Sequence, residues 1–367
     1  MRLNEIPNGT MDLINIQCET RENLILRINN LFKSWGYKKV ITPTIEYYKV
    51  INSGFESFKE QDIYKAFDNN GRILVLRPDM TIPIARLVGS KFKGVKKPLR
   101  LSYTSNIFRV NKELLGQKNE STHCGIELIG EWVKGSDLEV IILAIESLKL
   151  FNFKKFKIEI THVGIFNELC IKAELDLKTK NKLASLIEEK KIKELEDLLA
   201  DLTIDVDYKD IIKKLPWLVG GKEILEFNEK LELNSLKYLK TLAKTIEELG
   251  YEEFICFNLG RLPRINYYTG LIFSAYVEGY GDFVLNGGRY DNLLKVYGEA
   301  NNAVGFSINI DALAEINTLN LLMDSKEKII LEYKEENFID VIKEADHLRS
   351  MGKIVEIKLK RSNEYGS

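Results

Sequence analysis

Between Asp176 and Glu247 the chain changes character, and that interruption limits what the rest of it can fold into. The run "TKNKLASLIEEKKIKELEDLLADL" is rich in Lys, Glu and Leu. Leu183, Leu186, Ile187, Ile192, Leu195 and Leu198 recur in it at helical spacing, the pattern of amphipathic helices with a solvated charged face. On either side, strand signals dominate. Leu99, Leu101 and Tyr103 alternate in "PLRLSYTSNIFRV", and "STHCGIELIGEWV" reads as a second sheet segment. The polar loop "NKELLGQKNE" lies between them, too charged for a core and long enough to hang over a pocket. Strands return in "FICFNLG", "INYYTGLIFSAYVEG" and "DFVLNGGRYDNLL". The chain is β-rich, with a helical insertion.

Other elements follow from local signals. In "TRENLILRINNLFKSWG", Leu24, Ile25, Ile28, Leu31, Phe32 and Trp35 fall at helical spacing, with Thr20 as expected N-cap and Gly36 as expected C-cap. "YKKVITPTIE" reads as a strand entering a loop at the Thr-Pro step. "GRILVLRPDMTIPIARLVG" predicts a strand over Ile73–Leu76, a turn at Arg77-Pro78-Asp79, then a helix. The last elements, "EKIILEY", "ENFIDVIKEADHLRSMG" and "KIVEIKL", form one β-α-β unit, too small to bury both faces of a sheet alone.

With 367 residues, 45% of them apolar, the chain can bury a sizeable core, in one large domain with additions or in two domains. Its 53 basic and 54 acidic residues nearly cancel and are interspersed, so the electrostatic footprint of nucleic-acid binding is missing. Cys18, Cys124, Cys170 and Cys256 stand far apart, as do His123, His162 and His347, which argues against a zinc site and a disulfide framework. No signal-peptide run opens the sequence and no stretch approaches about 18 apolar residues. The expectation is a cytoplasmic protein without membrane contact.

Several residues carry candidate chemistry, each with a plainer alternative. Arg77, Asp79 and Thr81 form either a ligand-facing turn or a surface turn. Arg109 ends a strand, as a bidentate clamp for an anion or as half of a salt bridge. Glu127 sits among apolar residues in "CGIELIG" and either lines a pocket or faces water. Gly287 and Gly288, before Arg289, serve a close backbone approach, a positive φ or only a turn.

The order of these pieces resembles the class II aminoacyl-tRNA synthetases in their histidyl branch over nearly the whole chain. "PNGTMDL" is similar to the branch's start, and "GYKKVITPTIE" to the first class II motif, which forms the family's dimer interface. "LRPDMTIPIAR" and "SNIFRVNKELLGQKNESTHCGIELIG" are similar to the substrate turn and second motif. "INYYTGLIF", "GGRYDNLL" and "AVGFSINIDAL" follow in the family's order. The resemblance implies an α+β fold with an antiparallel sheet flanked by helices. Residues 1–322 would form it, with the helical insertion at about 176–247, leaving 323–367 as a short C-terminal α/β segment.

The same resemblance exposes departures. Ala312 stands where the third motif ends in an ATP-contacting arginine. Gln117 and Asn119 replace arginines of the second motif and Ser121 replaces an aromatic, while Arg109 and Glu120 persist. Pro263 stands at the place of the catalytic arginine. Arg264 comes one residue later and so points to the opposite face of an extended strand. Residues 314–367 are too few for the synthetases' anticodon-gripping domain. The "ITHVGIFNELC" and "YYTGLIFSAYVEGYGDFVLNGGRYD" stretches are closer to catalytically idle relatives, the regulatory subunits of ATP phosphoribosyltransferase. That resemblance implies no catalytic residue, no cofactor and no metal. It implies a short catalytic subunit as partner in a hetero-octamer, a self-dimer, and histidine as effector in the first step of histidine biosynthesis. The implied histidine-binding residues are Asp79 and Thr81 near the amino group, Arg109 near the carboxylate, and Glu127, Tyr267 and Tyr268 around the ligand. His123 takes the place of a glutamine that meets the ligand's ammonium group. A divergent synthetase-like ligase and a scaffold that senses nothing are the competing readings.

Overall fold

The computed structural model describes residues 3–53, 58–111, 118–131, 133–153, 155–227, 232–262, 267–321 and 328–360, with main chain alone over 317–321. Residues 1–317 and 318–367 form two compact units.

The larger unit opens with helix α1 (Ile16–Ser34), strands β1 (Lys38–Lys39) and β2 (Ile45–Tyr47), and the helical turn α2 (Tyr48–Ile51). Strands β3 (Lys65–Phe67) and β4 (Ile73–Leu76) lead to α3 (Thr81–Lys91). A long hairpin of β5 (Leu99–Phe108) and β6 (Glu120–Ile129) precedes α4 (Val133–Lys149), β7 (Phe156–His162) and α5 (Gly164–Lys172). The Lys-, Glu- and Leu-rich stretch becomes α6 (Leu177–Glu188), α7 (Ile192–Asp201), α8 (Val206–Lys214), the short strand β8 (Val219–Gly220) and α9 (Asn234–Glu248). Strands β9 (Ile255–Asn258), β10 (Leu271–Val277) and β11 (Leu285–Arg289), the helical turn α10 (Leu293–Val296), β12 (Ala303–Asn309) and α11 (Ile310–Leu321) follow.

Nine strands make one sheet in the order β1-β5-β6-β12-β11-β10-β7-β9-β8. Only the β1–β5 and β7–β9 pairs are parallel, so the antiparallel sheet flanked by helices is present. Strands β2, β4 and β3 form a small separate sheet.

Helix α1 shows how the pattern directs packing. Thr20, Leu24, Ile28 and Phe32 recur every four residues and are all buried. Thr20 is therefore inside the helix rather than its cap; the helix begins at Ile16, one turn earlier, after Asn15. Gly36 behaves as expected. At φ 82° it takes the left-handed conformation that ends helices, and its N–H bonds the Lys33 carbonyl at 3.0 Å while that of Tyr37 bonds Phe32 at 3.0 Å.

Alternation along the central strands splits the core in two. Cys124, Ile126 and Leu128 of β6, with Val304, Phe306 and Ile308 of β12, pack on α1 and α4 through Phe32, Ile141 and Ile145. On the other face Leu101, Tyr103 and Ile107 of β5 pack with Ile82, Ile84 and Val88 of α3. Each such side chain contributes about 1.5–3 kcal/mol on full burial. The second face also holds the polar site.

In the smaller unit, β13 (Lys328–Tyr333) and β14 (Ile354–Leu359) pair in parallel, joined through α12 (Phe338–Ser350). Ile329 stands opposite Val355 and Leu331 opposite Ile357, and α12 buries Val341 and Ala345. Among the described residues no helix is long and apolar enough to cross a membrane.

Candidate functional site

Successive side chains of a strand point to opposite faces, so β6 sends His123, Gly125 and Glu127 away from the helix-packed core. Strand register sets their neighbours. Glu127 stands opposite Gly305 of β12, and Gly305 opposite Gly288 of β11. Two positions without Cβ in one row leave a trench in the sheet. The Glu127 carboxylate lies in it, over Gly305, in space a Cβ there would claim. The Tyr268 ring covers Gly288, where an added Cβ would stand 2.6 Å from a ring carbon and 2.7 Å from the Leu271 carbonyl oxygen. Gly287 meets Phe273 and Phe306 on the opposite face. Both glycines lie within β11 and neither has a positive φ, so the pair serves close approach and not a turn. Gly288→Ala should cost roughly 1–3 kcal/mol of stability through overpacking and push Tyr268 into the cleft; thermal unfolding of the variant measures it.

Two carboxyl groups stand at the deep end, Asp79 in its lining and Glu127 beneath it. Glu127, 1% exposed, accepts hydrogen bonds from Thr81 Oγ1 at 3.0 Å and from the Tyr290 hydroxyl. Burial pushes its pKa up to about 8, against the lowering effect of those two bonds. Asp79, at the start of α3, accepts from the Ile82 N–H at 3.3 Å and the Tyr267 hydroxyl at 3.4 Å. Burial raises its pKa to about 6, opposed by the charge of Arg109. Neither carboxyl has an ion-pair partner among the described residues. Buried acids left in that state favour a cationic ligand.

Arg109 supplies the opposite charge at the mouth. Its Nε donates to the Pro78 carbonyl at 2.8 Å and its guanidinium lies 5.5 Å from the centre of the Phe58 ring. Its two terminal nitrogens make no hydrogen bond to a described residue. His123 is held between two hydroxyls, Nε2 with Ser121 at 3.0 Å and Nδ1 with Ser307 at 2.7 Å. Burial, and then the Arg109 charge, hold its pKa down to about 3, so the ring is neutral.

The cleft has two parts. Asp79, Thr81, Tyr267, Tyr268 and Tyr290 line the inner one, which has about 30 Å³ of open space above Glu127. Asn111, Lys118, Asn119, Ser121 and Ala312 line the outer one, of about 130 Å³. Ile107, Arg109, His123 and Asn286 border both and form the collar between them. A ligand that reaches the carboxyls therefore spreads the inner walls.

Six of the seven residues singled out from the sequence line the inner part, and Glu127 lies directly beneath it. Arg77 does not take part. It is buried, and its guanidinium donates to the carbonyls of Thr42, Pro43 and Asn106, pinning the turn from behind. Glu120 accepts from Asn106 at 2.6 Å, and Asn119 donates to the Asn8 carbonyl at 2.9 Å, tying the N-terminal stretch to the hairpin. Gln117, Pro263 and Arg264 lie outside the described residues. Three contributors escaped the sequence reading: Tyr290, Asn286 and Ser307. The alternation Asn286, Gly288, Tyr290 along one strand is the signal that points to the first two.

Arg289, between Gly288 and Tyr290, faces the helices. It meets Asp137 of α4 at 2.5 and 3.0 Å, Ser136 at 2.7 Å and Asp291 at 2.9 Å, while Tyr238 of α9 donates to the same Asp137. No cluster of His, Cys, Asp and Glu suited to a metal ion occurs among the described residues.

Comparison with known proteins is consistent along the chain. A family model described as histidyl-tRNA synthetase matches residues 9–313. A Clostridium botulinum (strain Langeland) protein named ATP phosphoribosyltransferase regulatory subunit is 40% identical over 342 residues, covering 90% of this chain and 81% of that protein. One of the same name from Clostridium kluyveri is 38% identical, covering 96% and 92%. The crystal structure of an ATP phosphoribosyltransferase regulatory subunit/histidyl-tRNA synthetase from Bacillus halodurans C superposes with a TM-score of 0.87 at 32% identity, covering 98% of this chain and 93% of that one. Histidyl-tRNA synthetase from Nostoc sp. PCC 7120 shares the fold at TM-score 0.80 and 18% identity, covering 99% and 88%. With this coverage and these shared motifs, the chain belongs to the histidyl-tRNA synthetase family, in the group of ATP phosphoribosyltransferase regulatory subunits.

Proposed function

We propose that this chain joins a short ATP phosphoribosyltransferase catalytic subunit, is required for its activity in the first step of histidine biosynthesis, and makes it sensitive to histidine while catalysing nothing itself. The observation that carries the reading is the charge layout of the cleft. Two buried carboxyls stand at its closed end and, at its collar, one arginine whose terminal nitrogens make no hydrogen bond to a described residue, a layout complementary to an amino acid with a basic side chain. In this reading Asp79 and Thr81 meet the amino group, Glu127 and Tyr268 the imidazole side, with Tyr267 behind them, and Arg109 the carboxylate. His123 serves as a neutral wall. Histidine biases the assembly only if its active and inactive arrangements bind it unequally.

Activation of amino acids finds less support. Ala312 lines the outer part of the cleft with its N–H committed to Asn309 at 3.1 Å, and a methyl group offers a phosphate no charge. Following phosphoribosyl-ATP formation by the catalytic subunit, with and without this chain and across a histidine titration, tests the proposal. Activation with inhibition by histidine supports it. Activation indifferent to histidine makes the chain a scaffold, and no activation, together with histidine-dependent ATP–pyrophosphate exchange, makes it a ligase.

We also infer a self-dimer within a hetero-octamer in the cytoplasm. Ile41, Ile45 and Tyr47, in and just before β2, are 81%, 52% and 41% exposed, an apolar patch of the kind partners cover. Ile45→Asp should shift the free chain to monomer in light scattering, with its helix content retained.

A further inference from the structure

The collar between the two parts of the cleft has a consequence for which ligands fit. This inference rests on the reading of histidine as the inner ligand. Recognition is strongest at the closed end, where Asp79 and Glu127 are 7% and 1% exposed and Thr81, Tyr267 and Tyr290 fix their oxygens. A ligand with its cationic groups there points its carboxyl at the collar. The collar presents a single charged side chain, Arg109, with Ile107, a neutral His123 and Asn286 around it. Beyond lies about 130 Å³ of open cleft, bounded by Asn111, Asn119, Ser121 and Asn309 and by the charged Lys118, Asp282 and Asp311.

The carboxamides are already bonded to the protein. Asn111 Nδ2 donates to the Lys118 carbonyl at 2.8 Å, Asn119 is tied to Asn8 and Asn111, and Asn309 is tied to Ala312. Asp311 is likewise engaged, by Arg21 at 3.3 Å and by the Thr122 N–H at 2.7 Å. The outer cleft is thus a polar vestibule of carboxamides, hydroxyls and the charged Lys118, Asp282 and Asp311, continuous with the inner part at the collar.

We propose that the site takes α-carboxamides of histidine, including peptides that begin with histidine, because its buried acids grip the amino and imidazole end while the carboxyl end opens through the Arg109 collar into the polar outer cleft. Converting the carboxylate to an amide keeps a carbonyl oxygen as acceptor for Arg109 and loses one charge-assisted bond. Acylating the amine removes the cation that Asp79 faces.

Isothermal titration of the full chain with histidine, histidinamide, histidylglycine and N-acetylhistidine tests this. Histidine, histidinamide and histidylglycine should bind within about tenfold of one another, and N-acetylhistidine at least 100-fold more weakly. In Arg109→Met the gap between histidine and histidinamide should close, because only the carboxylate loses an ionic partner. Histidine binding with both carboxamides more than 100-fold weaker overturns the proposal and leaves the histidine reading intact. Equal binding of N-acetylhistidine overturns the orientation on which it depends. Binding of none of the four removes both this inference and the assignment of the site to histidine.

Discussion

Arg289→Ala lowers the stability of the larger unit by about 3–5 kcal/mol, the largest single-residue effect expected in this chain. Arg289 is 4% exposed and Asp137 is 1% exposed, and all the guanidinium nitrogens are committed to Asp137, Ser136, Asp291 or the Val133 carbonyl. Truncation leaves the Asp137 carboxylate buried with Tyr238 as its remaining side-chain partner among the described residues, and a buried charge without its counter-charge is expensive. The loss should appear as a lowered urea midpoint. Asp137→Asn, which keeps a hydrogen-bonding group of the same shape, should cost less than Arg289→Ala. Equal costs would mean that the charge itself matters little there.

Glu127→Gln has the second large effect, and it reads out in two independent ways. Losing a charge-assisted hydrogen bond should weaken histidine binding about 10- to 100-fold by calorimetry. The second readout is the pH dependence of ligand-free stability. Glu127 has its pKa raised to about 8 in the folded chain, so between its unfolded value and 8 the folded state binds more protons than the unfolded state. Stability then falls as pH rises through that window. Asp79, raised to about 6, acts in the same sense but only at lower pH. His123 and His162, lowered to about 3 and about 4, act in the opposite sense, mostly below the unfolded histidine value of about 6.5 and with a tail above it. The histidines and Asp79 titrate alike in the wild type and in Glu127→Gln, so the stability difference between the two isolates Glu127. That difference should fall by about 1 kcal/mol from pH 6.5 to 7.5. A difference that stays constant over that interval would show that Glu127 is ionised in the empty cleft.

What the sequence disclosed follows the reach of each signal. Periodicity over ten or more residues located α1, the insertion helices and the long hairpin, because burial of one face imposes it locally. The start of α1 was misplaced because Thr20 is as good a cap as any, and only packing against the sheet reveals it as part of the buried face. Arg77 resembles a turn residue because Arg-Pro-Asp is turn chemistry; its role is to satisfy three distant carbonyls, of Asn106 in β5 and of Thr42 and Pro43 in the loop before β2. Glu127 remained ambiguous for the same reason. Its partners Thr81 and Tyr290 lie 46 and 163 positions away, and no local rule joins them. Arg289 and Tyr290 are neighbours in sequence, yet Arg289 ends a strand and the two side chains serve opposite faces.

The row Glu127, Gly305, Gly288 carries a last implication, for how this cleft can change. Its floor is peptide backbone, already in contact with what lies above it. No substitution can remove further atoms from a glycine, so the cleft can be filled from below but never deepened. Any retuning toward a longer or wider ligand has to be written in the walls, at Thr81, His123, Tyr268 and Asn286. A library confined to those four positions should contain nearly all of the selectivity variants that this scaffold permits.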